Sequence, residues 1–77
     1  MTEQQRIGQR IREIRKAQGI SAVMLAEMTG LEQSYISNIE NAKYAVRIDT
    51  LERIATALKC RVDFIDERPH VEKGALA

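Results

Sequence analysis

The chain has 77 residues, 44% of them hydrophobic, and its 12 basic and 11 acidic side chains leave a net charge of +1. That length holds one domain whose small core would gain from self-association. No apolar run approaches the roughly 18 residues of a membrane span and Met1-Thr2-Glu3 does not read as a signal peptide. One cysteine and one histidine exclude an internal disulfide and a tetrahedral zinc site, so the expectation is a cytoplasmic, reduced protein with no metal and no cofactor.

Thr2 followed by Gln5 matches a capping box, which starts a first helix at about residue 3. Ile7, Ile11 and Ile14 form its apolar stripe, and Gly19 sits where a C′ glycine would stop it. Five basic residues, Arg6, Arg10, Arg12, Arg15 and Lys16, lie on this helix. Ile20 reads as a buried residue before Ser21, the N-cap of a second helix whose inward face is Leu25 and Ala26. Thr29-Gly30-Leu31 breaks that helix, because glycine accepts the positive φ of a tight turn. A third helix runs from Glu32 or Gln33 to about Asn41, with Ile36 and Ile39 on one face. Ala42 to Arg47 is a connecting loop. Ile48, Leu51, Ile54, Ala55 and Leu58 make the stripe of a fourth helix ending at about Lys59.

Residues 60–66, CRVDFID, alternate apolar and polar at first, which is a strand period. The same residues fit one turn of a fifth helix, and the sequence leaves the two open. A lone strand needs a partner for its backbone groups, and no second strand is visible. A strand here would pair antiparallel with the same segment of a second copy across a two-fold axis. Val62, Phe64 and Ile65 are accordingly core or dimer-interface residues. The domain is expected to span 1–66, with 67–77 a mobile tail that has little to bury. Cys60 reads as a small core residue, and His70 has no partner in view. Val23, Met24 and Met28 read as covering the core edge, the alternative being an exposed soft patch for another protein.

The second and third helices, joined by a short turn, make a helix-turn-helix. The outer face of the third carries Gln33, Ser34, Ser37 and Asn38, short groups that donate and accept hydrogen bonds. Such a face suits a major groove better than bulk water, where Glu and Lys are commoner. The near-neutral charge is weak support for nucleic acid. Its distribution is more favourable, since residues 1–60 carry nine basic and seven acidic side chains and residues 61–77 carry three and four.

The pattern IGQRIREIRKAQGIS…LAEMTGLEQSYISNIENAK…IDTLERIATAL resembles the Cro/repressor-type (XRE-like) helix-turn-helix family over about residues 6 to 60. The most specific parts are Leu25-Ala26-Glu27, Tyr35-Ile36-Ser37, Ile39-Glu40-Asn41 and Leu51. The resemblance implies an all-α, lambda-repressor-like compact bundle of four to five helices, dimeric on double-stranded DNA. It implies base reading by Gln33, Ser34, Ser37 and Asn38, and phosphate contact by Tyr35, Asn41, Lys43 and Arg10. Arg47 joins them as a loop cation; Arg6 and Lys16 read as a solvated face. Glu40 falls where the family braces the loop after the third helix. Several positions depart from the family. Ala22 replaces a phosphate-binding Gln, Glu32 and Arg47 stand where capping Ser or Thr is usual, and Ala42 and Lys59 stand where Gly is frequent. Val23, Met24 and Met28 replace common charged residues.

Together these features point to a transcriptional regulator, in the first instance a repressor, binding a palindromic operator as a homodimer. Two alternatives stay open: an antitoxin that also binds a toxin, and a protein-interaction module that has lost DNA binding. The chain shows no nucleophile–base pair, no paired carboxylates in a credible pocket and no phosphate loop, so it is not expected to be an enzyme.

Overall fold

The structure, a computed structural model, describes residues 1–69. The described residues form four helices, α1 (Glu3–Ala17), α2 (Ala22–Thr29), α3 (Gln33–Glu40) and α4 (Ile48–Ala57), and no strand. Local chemistry sets the starts of the first two. At α1 the Thr2 hydroxyl accepts the Gln5 N–H at 3.1 Å while the Gln5 side chain accepts the Thr2 N–H at 2.7 Å, a full capping box. At α2 the Ser21 hydroxyl accepts the Met24 N–H at 3.1 Å.

All four helices end alike. An N–H reaches back five residues to a helical carbonyl, from Ile20 to Arg15, Leu31 to Ala26, Lys43 to Asn38 and Cys60 to Ala55, at 2.7–3.1 Å. This is the Schellman closure, which needs a left-handed residue just before the donor. Gly19 and Gly30 supply it in two cases, at φ 70° and 73°; Ala42 and Lys59 do so in the others, at φ 57° and 59°.

Each helix buries one stripe in a shared core of Ile11, Leu25, Ala26, Ile36, Ile39, Ile54 and Leu58, with Ile7, Ile14, Ile20, Leu31 and Leu51 packed around it. α1 lies on α3, α3 on α2, and α2 on α4. The α1–α3 crossing is close because Gly8 has no side chain. A Cβ there would meet the carbonyl oxygens of Ile39 and Glu40 at 2.5 and 2.7 Å. At the far end the Gln18 amide donates to the Leu58 carbonyl at 2.7 Å and ties the end of α1 to the end of α4.

Four expectations are corrected. Residues 60–66 are neither strand nor fifth helix. The left-handed Lys59 closes α4, and the segment beyond it has no second segment among the described residues to pair with. Two of its N–H groups bond neighbouring side chains instead, with Asp63 accepting from the Phe64 N–H and Asp66 from the Arg68 N–H. Val62, Phe64 and Ile65 therefore lie outside the core, Phe64 fully exposed. Cys60 is exposed rather than buried, since α4 delivers its last core side chain at Leu58. Ile48 is 77% exposed; at the first position of α4 its side chain leans back past the end of the helix, away from the core. Val23, Met24 and Met28 each keep about half their surface in solvent, so they form an exposed patch rather than a sealed core edge. The expected mobile tail lies, from residue 70 onward, outside the described residues.

Candidate nucleic-acid interface

The candidate interface is built on α3, held from behind. Ile36 and Ile39 are 0% and 2% exposed. On the opposite side Gln33, Ser34 and Ser37 are exposed. The side chains of these three make no hydrogen bond within the protein among the described residues. Their donors and acceptors are free for another molecule. Asn38 differs: it is half-buried, and its Nδ2 donates to the Tyr44 hydroxyl at 2.7 Å. The Tyr44 ring lies 5.9 Å from that of Tyr35, tilted by 38°. The structure thus gathers Tyr35, Asn38 and Tyr44 into one group on the outer side of α3.

Two buried polar contacts fix the helix pair. The Arg15 guanidinium of α1 grips the Glu40 carboxylate at the end of α3 with two bonds of 2.8 and 2.9 Å, and donates a third to the Ile20 carbonyl at 3.0 Å. Both side chains are largely buried, Glu40 to 6% exposure. Hydrogen bonding to Glu40 holds the Arg15 guanidinium above its ordinary pKa, so it stays charged wherever the protein is folded. Glu40 therefore anchors α3 to α1 rather than bracing the loop after α3. In the turn, the buried Thr29 hydroxyl donates to the Leu25 carbonyl at 2.8 Å and accepts the Leu31 N–H at 3.3 Å, which ties the turn back onto α2.

The expected phosphate residues are more scattered. Asn41 and Lys43 are exposed directly after α3, and Tyr35 is half-buried on it. Arg47 is exposed at the N-cap of α4 but 3.2 Å from Asp49, and Arg10 is exposed on α1 but 3.8 Å from Glu13. These solvent-facing ion pairs are weak and can exchange for a phosphate. The α4 start lacks a side-chain cap; Asp49 compensates in the first turn, accepting the Thr50 N–H, which together with Arg47 holds its carboxyl below the usual range. The α3 start is uncapped too, since Glu32 makes no capping bond. Sequence reasoning does not single out Gly8, Arg15, Thr29 and Tyr44 as parts of this site. A tyrosine in the short loop six residues beyond Asn38 is the one local sign.

A family profile described as helix-turn-helix (HTH_3) matches residues 11–65, and the chain belongs to that family. The immunity repressor protein of Bacillus phage phi105 is 42% identical over 59 residues, 77% of this chain and 41% of the relative. The transcriptional regulator SinR of Bacillus subtilis is 40% identical over 68 residues, 86% of this chain and 61% of SinR. The chain thus spans only part of the length of these relatives. Among solved structures, the restriction-modification controller protein C.AhdI from Aeromonas hydrophila superposes with a TM-score of 0.74 at 36% identity, over 77% of this chain and 89% of that one. SinR in complex with DNA gives 0.67 at 40% identity, over 70% and 87%. None of these is named as an enzyme.

Proposed function

We propose that this chain is the DNA-reading part of a cytoplasmic transcriptional repressor that binds a palindromic operator as a homodimer. The observation that carries the reading is the bare polar face of α3 on a helix whose other face is sealed into the core. Gln33, Ser34, Ser37 and Asn38 read base edges in the major groove, with Gln33 able to bond adenine in a bidentate way. Arg10, Tyr35, Asn41, Lys43 and Arg47 meet phosphates and fix the register. Two copies set their α3 helices about 34 Å apart, one DNA turn. The exposed Val62, Phe64 and Ile65 supply apolar surface for the second copy. The named relatives, two of them regulators and one of those solved on DNA, support the same reading.

The toxin-binding alternative loses the strand at 60–66 that motivated it. The interaction-module alternative keeps some support from Ala22, Glu32 and the low net charge. Selection from random duplex DNA at low salt decides between them. A two-fold motif is expected, with Gln33→Ala altering preference at one base position of each half-site. Enrichment of no motif, with no detectable duplex binding at about 50 mM salt, would sink the DNA reading and favour the module.

A further inference from the structure

The group formed by Tyr35, Asn38 and Tyr44 has a consequence for which bases α3 accepts. An asparagine side chain presents a donor end and an acceptor end, and a free one can turn over to suit either kind of base. Asn38 is not free. Its Nδ2 donates to the Tyr44 hydroxyl at 2.7 Å, and among the described residues nothing donates to its Oδ1. Tyr44 is in turn held from two directions. Its ring rests against Tyr35, with centroids 5.9 Å apart. Its backbone belongs to the loop closed onto the end of α3 by the Lys43 N–H bonded to the Asn38 carbonyl at 2.9 Å. The loop after α3 therefore reaches back and takes the donor end of Asn38.

We propose that Tyr44 is a positioning residue that fixes the amide of Asn38 with its carbonyl oxygen outward, so that α3 prefers an amino base over a keto base at the position Asn38 meets. In the major groove adenine offers its N6 amino group and cytosine its N4 amino group, both donors; guanine offers O6 and N7 and thymine O4, all acceptors. An outward carbonyl oxygen accepts from the first pair and is repelled by the second. The remaining Nδ2 proton can serve adenine N7. Tyr44 need not touch a base for this. The inference rests on the proposed placement of α3 in the major groove and adds to it the direction in which one contact reads.

Two measurements test it, the first without DNA. In the free protein, side-chain amide NMR should show one Asn38 Nδ2 proton shifted and protected relative to exposed amides, and Tyr44→Phe should return it to the exposed position. Phenylalanine keeps the ring against Tyr35 and removes only the hydroxyl, so the melting temperature serves as the control for folding. The second is motif selection with the wild-type chain, Asn38→Ala and Tyr44→Phe. The wild type should show one column per half-site favouring A or C over G or T, and Asn38→Ala should erase it. Tyr44→Phe should weaken that column alone, by about tenfold in the amino-to-keto ratio, the scale of one good base contact. An Asn38 amide that is ordinary in the free protein overturns the proposal, and so does a column favouring G or T over A or C, the outcome of a turned-over amide whose Oδ1 accepts from the Tyr44 hydroxyl. So does a motif whose columns are unchanged by Tyr44→Phe, or are all weakened alike; either leaves the DNA-reading role of α3 standing. An Asn38 signature without any enriched motif overturns both.

Discussion

Ala42 and Lys59 hold left-handed backbone at the ends of α3 and α4, at φ 57° and 59°, where the equivalent positions after α1 and α2 are glycines. For a residue with a Cβ that conformation costs about 1–2 kcal/mol, and glycine avoids it at the expense of more unfolded-state freedom. Ala42→Gly and Lys59→Gly should each raise stability by about 0.5–1 kcal/mol, a melting shift of a few degrees in a domain this small. Thermal and urea unfolding of the single variants and the pair check this, and the two should add, because the sites cap different helices. A loss of stability in both would show that the loop contacts of Ala42 and Lys59 outweigh the backbone strain. In the sequence these positions stand out as places where glycine is frequent in the family. The left-handed geometry explains why glycine is favoured there.

At the scale of one element, α3 is secured unequally at its two ends. Its C-terminal end is locked to α1 by the Arg15–Glu40 pair and by the close approach that Gly8 permits. Its N-terminal end carries Glu32, which occupies the cap with the right extended backbone, φ −75° and ψ 146°, but makes no capping bond. Glu32→Ser should add about 1 kcal/mol of stability. It should also tighten DNA binding by removing a negative charge from the start of the reading helix; electrophoretic or fluorescence titration of operator DNA reads the second effect. The buried pair behaves in the opposite way. Arg15→Met should cost about 3–5 kcal/mol, because it leaves Glu40 buried and unpaired. The double variant Arg15→Met/Glu40→Leu should recover most of that loss, since both charges are then gone. Urea midpoints of the wild type, the single and the double give the comparison. A single variant that costs under about 1 kcal/mol would mean the pair does not hold α3.

On the scale of the whole molecule, the net charge of +1 gives little general attraction to DNA, so the proposed binding would depend on local cations and on the doubling of contacts that the proposed homodimer supplies. Lys43→Ala should weaken binding to all sequences alike and reduce the salt slope of the binding constant by about 1; titrations between about 50 and 200 mM salt test it. A change confined to one base position would instead make Lys43 a base reader. The exposed segment after α4 sets the second whole-molecule expectation. If the proposed homodimer forms through it, Phe64→Asp should shift that dimer toward monomer in sedimentation velocity and weaken binding to a two-half-site operator far more than to a single half-site. Unchanged sedimentation would move the dimer contact elsewhere.

The sequence by itself determined the elements whose information lies within a few residues. The capping box of Thr2 and Gln5, the Ser21 cap, the glycines at 19 and 30, and the stripes of Ile7/Ile11/Ile14, Ile36/Ile39 and Ile54/Leu58 all act over one or two helical turns. They placed the four helices and exposed the polar face of α3. Tertiary structure decided what depends on residues far apart in the chain. Gly8 matters only because α3 crosses it, Arg15 only because Glu40 arrives 25 residues later, and Asn38 is oriented only because the loop folds Tyr44 back onto it. The same holds for the fate of Cys60, Val62, Phe64 and Ile65. The alternation of Cys60, Val62 and Phe64 fits a strand, but a strand is made by its partner, and no described segment of the chain supplies one.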